Sequence, residues 1–331
     1  TKLSEEQTQH QKKEDVRREN IEPFNAEKPA PKDKDDADVI LRYALGLKSS
    51  IEYLDFRGIV QLERIGIKIK LSDIYIKPLL FKESAASAAS TIDESGVIVG
   101  RDVIPLVEQD DWLTVENWLT RATGIVVLGD PGAGKTSLIK WLAVESCNDL
   151  IAESGNCNRT RRMPLIVPIA AYEEQLTTDR TSPLANFISD FCARNCTESE
   201  KCSNLIKRNI VAGNCLVLLD GVDEITDDSL RGLVIDGTKQ FIANVRLSGV
   251  RVVVTSRIIG YRSKALCLDS VEHLILPGFS KAEIKRFVEL WMEHFLRSIK
   301  GGGDAATHEA ESEARKLWRE IRGNKSVLRL V

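Results

Sequence analysis

Residues 129–136 read GDPGAGKT and follow the apolar run IVVL. Three glycines and a proline within eight residues continue neither a strand nor a helix, so the chain must turn here. The pattern G-x-x-x-x-G-K-[ST] is met by Gly129, Gly134, Lys135 and Thr136, between an expected strand and an expected helix. In that setting glycines let consecutive backbone N–H groups point inward and form an anion nest. The nest opens onto a helix N-terminus, whose dipole also favours negative charge. Lys135 can address the β- and γ-phosphates of a nucleotide, and the Thr136 hydroxyl can ligate Mg2+. The expected nucleotide contacts are Gly129, Pro131, Gly132, Ala133, Gly134, Lys135, Thr136 and Ser137.

Such a loop belongs at the edge of a parallel sheet, and the downstream pattern supplies one. DWLTVENWL (111–119) reads as a short amphipathic helix, GIVVLG as a strand and 135–147 as a helix. MPLIVPIAAY (163–172) reads as a second strand, with a helix around LANFISDFC. NCLVLLDG is a third strand, followed by a helix near 228–247. VRVVVTSR (250–257) and HLILPG (273–278) are a fourth and a fifth. The runs are apolar throughout rather than alternating, as in strands covered by helices on both faces.

Two of the strands end in chemistry. LVLLDGVDE places Asp220 at the end of the third, the position of a carboxylate that holds Mg2+ in a P-loop site. Gly221 leaves space beside it. Asp223 and Glu224 follow, and either can orient or deprotonate an attacking water. The fourth strand ends in Thr255, Ser256 and Arg257, where an arginine can contact the γ-phosphate. Lys135, Asp220, Asp223, Glu224 and Arg257 form the candidate catalytic set, and Thr136 and Asp220 the candidate metal ligands.

Outside this core the sequence is plainer. Residues 1–38 are highly charged, contain Pro23, Pro29 and Pro31, and read as a disordered tail or linker. Residues 39–110 form an N-terminal segment. It has a helical stripe at Ile40, Tyr43, Leu47, Ile51 and Leu54, then one or two short strands within 59–76. Residues 84–95 read as a mobile Ser/Ala-rich loop, and the NTPase core is expected over 111–278. A helical subdomain over 279–331 opens with capping-box spacing at Ser280 and Glu283. There Ile284, Phe287, Val288, Trp291 and Phe295 form one apolar stripe, GGGDAATHE is a loop, 309–322 is a helix and NKSVLRLV begins another.

The net charge of −3, from 46 basic and 49 acidic residues, gives no electrostatic reason to expect nucleic acid or an anionic membrane as partner. No apolar run is long enough to span a bilayer, and the N-terminus has no secretory h-region. Seven cysteines read as free thiols in a reducing cytoplasm. Cys192, Cys196 and Cys202 lack the usual zinc-ligand spacing.

GDPGAGKTSL, LVLLDGVDEI and VVVTSR, in this order, closely resemble the NACHT group of STAND NTPases, relatives of animal NOD-like receptors with many bacterial antiphage members. The resemblance covers roughly residues 40–331. It implies an α/β P-loop NTPase fold, a five-stranded parallel sheet in the order 5-1-4-3-2, and a small helical subdomain after it. It further implies ADP in the resting form, ATP exchange and oligomerisation on detection of a trigger ligand, an effector at one end and a sensor at the other. In the family an Asn-Pro-containing helix and a winged-helix module follow about where this sequence ends. That, with the first residue being Thr, reads as a segment of something longer. For the adenine contacts two stretches compete. IVGR (98–101) offers Val99 and Arg101, and DIYI (73–76) offers Tyr75. The functional reading is a cytoplasmic, slowly hydrolysing, Mg2+-dependent ATPase switch that self-associates in innate or antiphage immunity. The alternative is an AAA+-like remodelling motor, which needs an arginine supplied by a neighbour. A purely structural nucleotide module would be expected to lack the acids that are present.

Overall fold

The computed structural model describes residues 34–54, 68–83, 112–152, 162–261, 271–300 and 304–324. The first elements are α1 (Lys34–Ile51), α2 (Leu71–Ile74), β1 (Phe81–Lys82) and α3 (Val115–Arg121). The core continues with β2 (Gly124–Leu128), α4 (Lys135–Ile151), β3 (Met163–Pro168), α5 (Ile169–Thr178), α6 (Leu184–Ala193) and α7 (Ser199–Val211). After β4 (Cys215–Asp220) come a 3-10 turn (Val222–Glu224), α8 (Asp228–Val245), β5 (Arg251–Ser256), α9 (Ile258–Tyr261) and β6 (Val271–Ile275). A helical hairpin of α10 (Lys281–Lys300) and α11 (Asp304–Gly323) ends the described chain.

The sheet runs β1-β6-β2-β5-β4-β3. From β2 onward the strands are parallel, in the expected 5-1-4-3-2 order. The sheet nevertheless has six strands rather than five. β1 joins the β6 edge antiparallel, with Phe81 opposite Ile275 and Lys82 opposite Leu274. Two residues are too few for a period-2 pattern to register in the sequence. Burial holds this strand, since Leu80 and Phe81 are fully inaccessible.

The continuous apolar runs divide between two cores. Val126 and Leu128 in β2, Val217 and Leu219 in β4, and Val252 and Val254 in β5 face the side covered by α1 and α5–α8. Their neighbours Ile125, Val127, Leu216, Leu218 and Val253 face α3 and α4, against Trp118, Leu138, Ile139 and Leu142. Strand alternation sends successive side chains to opposite faces, and each face is covered. α1 is pinned by the buried Tyr43 hydroxyl, which donates to the Pro164 carbonyl at 2.7 Å. Exposed ion pairs such as Arg208–Asp36 add only a little.

Several stretches differ from the sequence reading, and α1 begins at Lys34, inside the tail expected over 1–38. MPLIVPIAAY is strand only as far as Pro168. Proline supplies no N–H for the ladder, and Ile169, Tyr172 and Leu176 then bury at helical spacing. α7 is a further helix, with Cys202, Leu205, Ile206 and Ile210 buried between its polar residues. Leu71–Ile74 is a helical turn where strand was expected, while residues 55–67 of that region lie outside the described residues. α11 begins at Asp304, inside the expected loop. The 84–95 loop lies outside the described residues.

α10 begins with the anticipated capping box: Ser280 N–H donates to Glu283 Oε2 at 2.9 Å, and Glu283 N–H to Ser280 Oγ at 3.2 Å. Of its apolar stripe, Phe287, Trp291 and Phe295 pack on Ile69 and Ile74 of the N-terminal segment. β1 is similarly bound into the domain through Phe81, which meets the Trp112 ring at 4.7 Å. Phe81→Ala should therefore lower unfolding stability by about 3–5 kcal/mol, read as a drop in the denaturation midpoint. An unchanged midpoint would show that the edge strand contributes nothing.

Candidate nucleotide site

The site forms where β2, β4 and β5 end side by side. β2 leaves the sheet at Gly129, whose N–H donates to Ser256 O at 3.2 Å. A Cβ on Gly129 would sit 3.2 Å from both the Ala133 Cβ and the Leu276 carbonyl, a tight fit that the turn meets only by a small shift. Gly132 and Gly134 take φ of 84° and 88°, the left-handed conformation glycine adopts without penalty. Gly134 is the N-cap of the long helix α4, and Pro131 and Gly132 are exposed at the loop tip. Lys135 folds back over the loop and donates to the Gly129 and Asp130 carbonyls at 2.8 and 2.9 Å. Burial is the main influence pulling its pKa below the ordinary lysine value; the Asp223 carboxylate is the largest opposing one.

Asp220 is the junction. Its Oδ2 accepts from the Thr136 hydroxyl at 3.0 Å. Its Oδ1 accepts from Thr255 Oγ1, which in turn accepts from Gly221 N–H at 2.9 Å. One carboxylate thus joins the P-loop helix, β4 and β5. The Thr136 hydroxyl and Asp220 carboxylate are hard oxygens close enough together to share one Mg2+. Among the described residues no group of three or more His, Cys, Asp or Glu side chains is placed to hold a metal. Mg2+ at a phosphate site needs none, because phosphate and water supply most of its ligands.

The two further acids are not equivalent. The Asp223 side chain is 8% exposed and paired with Arg257: Oδ2 lies 3.0 Å from Nε, and Oδ1 accepts the Arg257 backbone N–H at 2.8 Å. Glu224 is exposed and has no ion-pair partner among the described residues. Its carboxylate folds over Gly221, where a Cβ would come within 2.9 Å of Oε2. Gly221, at φ 79°, is needed for its conformation, while the exposed Glu224 side chain could move aside for a Cβ.

Beside the P-loop lies a cavity of about 380 Å³, more apolar than polar. Tyr75, Ile76 and Pro78 line one wall, Gly132, Gly134 and Ser137 the floor, and Phe279, Phe287 and Trp291 the other wall. Tyr75 stacks on Trp141 of α4 at 4.9 Å and 13°. Its hydroxyl oxygen is buried with no hydrogen-bond partner among the described residues. Burial, first, and then nearby Glu116 push its pKa well above the ordinary phenol value. Val99 and Arg101, the rival candidates, lie outside the described residues.

Sequence reading missed Glu173, a buried carboxylate that reaches the turn after Glu224. It also read Phe287 and Trp291 only as core. No local signal marked the first, since Glu173 is followed directly by the polar Glu174 and Gln175. The second depends on packing between segments some two hundred residues apart.

A family profile of the NACHT domain matches residues 123–294, a little over half of the chain, and the chain belongs to that family. NACHT domains are P-loop NTPases, so this is a nucleotide-binding NTPase domain. Similar solved structures include a DNA replication initiation factor, with TM-score 0.35 and 10% identity, covering 63% of this chain and 58% of that one. Another is C. elegans PCH-2, with TM-score 0.33 and 18% identity, covering 53% of this chain and 41% of that one. The chain thus spans well under two thirds of either structure. No curated protein sequence matches it. No helix among the described residues is long and apolar enough to cross a membrane.

A lysine meets phosphate in its protonated form, and Asp223 is the strongest influence keeping the proton on Lys135. Asp223→Asn removes it, so the Lys135 pKa falls further below its ordinary value. As pH rises, the variant should lose nucleotide affinity at a lower pH than the unchanged chain. Titrating ADP affinity against pH checks this; coincident alkaline limbs would refute it.

Proposed function

We propose that the chain is an ATP-binding, slowly hydrolysing signalling switch that works in the cytoplasm with Mg2+. In this reading residues 129–137 cradle the phosphates and Lys135 neutralises them. Thr136 and Asp220 would hold the metal, which would supply charge neutralisation to the phosphates. Glu224 orients and deprotonates the attacking water, while Asp223 holds Arg257 at the strand end as the residue that distinguishes triphosphate from diphosphate. The preference for Glu224 over Asp223 is supported by the Asp223–Arg257 pair, which commits the other acid. Tyr75 walls the base pocket.

The observation that carries the switch reading is the shared wall of that pocket. Phe287 and Trp291 of the helical hairpin line the same cavity as Gly132 and Gly134 of the P-loop. A base seated there touches both the NTPase core and the hairpin, so exchange of ADP for ATP can be felt by whatever the hairpin carries. ADP in the resting state, self-association with ATP, an unidentified trigger ligand and a role in innate or antiphage defence follow from the same reading. Arg257 lies in the chain's own site, so hydrolysis at the low rate of a switch needs no arginine from a neighbour.

Nucleotide extracted from the purified chain should be ADP at near-stoichiometric amounts; an empty site with rapid turnover would favour a motor. Lys135→Ala should abolish binding. Glu224→Gln should keep ATP bound while hydrolysis falls at least about a hundredfold. If Glu224→Gln instead hydrolyses at the native rate, the base assignment passes to Asp223. Tyr75→Ala should weaken ATP more than pyrophosphate, and equal losses for both would remove Tyr75 from the base pocket.

A further inference from the structure

Glu224 sits in a short turn, and the turn is gripped from a direction that none of the nucleotide motifs names. Glu173, on α5, is only 6% exposed. Buried carboxylates are ordinarily paired with a cation or held by several hydrogen bonds. Here Oε1 accepts from Thr226 N–H at 2.8 Å, from the Thr226 hydroxyl at 3.2 Å and from Asp227 N–H at 2.7 Å. Asp227 is the N-cap of α8, its own side chain accepting from Ser229 N–H at 2.7 Å. The Glu173 charge therefore also meets the positive end of a helix dipole.

The stretch from Gly221 to Asp227 is thus fixed at both ends. Upstream, Gly221 N–H donates to Thr255 Oγ1 at 2.9 Å, and Glu224 N–H to Gly221 O at 3.0 Å. Downstream, Arg231 donates to Ile225 O at 3.0 Å, and Glu173 takes the next two backbone N–H groups. α5 is a firm base for that grip. Ile169 and Leu176 are in the core, the Tyr172 hydroxyl donates to Ser182 O at 2.8 Å, and Tyr172 lies against α8 at Gly237, where a Cβ would come 2.8 Å from its oxygen. A neutral serine or asparagine could cap this turn at a lower desolvation cost. What the carboxylate adds is charge-assisted hydrogen bonds, about twice as strong as neutral ones.

We infer that Glu173 is a positioning residue for hydrolysis: its carboxylate fixes the Ile225–Asp227 turn and thereby the place of the Glu224 carboxylate. The inference rests on the proposed role of Glu224. Two variants separate charge from reach. Glu173→Gln keeps the length and loses the charge, and Glu173→Asp keeps the charge and falls short of the turn. Glu174→Gln, at the exposed neighbouring position, makes the same charge change away from the turn and serves as control.

Both Glu173 variants should lower kcat on the order of fivefold or more, with ADP affinity close to that of the unchanged chain, while the buried donors left unpaired lower the melting midpoint. Amide hydrogen exchange should accelerate at Thr226 and Asp227 and stay constant elsewhere. Glu174→Gln should change none of these. Unchanged kcat in both Glu173 variants overturns the inference. So does an equal fall of kcat and ADP affinity, which would mark a merely structural role. If the unchanged chain binds nucleotide and hydrolyses none, the proposed function fails by itself. Glu173 is then judged on amide exchange alone, and no acceleration at Thr226 and Asp227 overturns its role.

Discussion

The Asp220 carboxylate is the constraint on which the rest of the site depends. It accepts from Thr136 at the start of α4 and from Thr255 near the end of β5, and both threonines come from sequence far from its own. Two strand ends and one helix must therefore agree in position for one acid to be satisfied. That agreement is only possible because β4, β5 and β2 are neighbours in the sheet. Thr255 is wholly inaccessible, and its hydroxyl both donates and accepts. A buried polar group used on both sides adds specificity without leaving an unpaired atom. The sheet order and the chemistry of the site are in this sense one fact.

What was legible in the sequence follows the length over which each signal repeats. The P-loop and the acid-ended strand β4 are local patterns whose physics is complete within about ten residues. The five-strand parallel core was legible too, because strands covered on both faces must be apolar throughout. The two-residue β1 was not, since pairing at that length depends on the burial of Leu80 and Phe81 rather than on any period. The strand-to-helix change at Pro168 was hidden because a buried strand and the buried face of a short helix have the same apolar composition. Glu173 was hidden for a different reason. A single glutamate carries no period at all, and only the tertiary structure says whether it faces water or a turn 53 residues away.

The charged groups of the site are arranged so that each cation is already occupied. Lys135 is spent on two carbonyls and Arg257 on Asp223. These contacts satisfy donors that would otherwise be half-buried without partners, at a cost the polyanionic phosphates of a nucleotide must exceed to redirect them. A phosphate chain can do so for Lys135, because charge-assisted bonds to phosphate are stronger than bonds to neutral carbonyls. Arg257 is held by the Asp223 carboxylate through both its guanidinium and its backbone N–H, so an anion that reaches it must displace a charged partner.

The same logic of shared walls extends to the helical hairpin. α10 does not rest on the sheet but on Ile69 and Ile74, in a segment that precedes the P-loop by some sixty residues. That segment also supplies Tyr75, which stacks on Trp141 of the helix the P-loop initiates. His294 near the end of α10 lies 3.7 Å from Asp73 of the same segment. The N-terminal segment is therefore the middle layer between α4 and α10, touching both through aromatic rings. Rings in such a layer transmit displacement well, because close-packed interiors yield little and shift as units. A ligand that widened the cavity between Tyr75 and Trp291 would have to move the segment or the hairpin, and either movement is passed outward along a helix of 20 residues. Three layers thus meet at one apolar pocket, with the N-terminal segment between the P-loop helix and the hairpin.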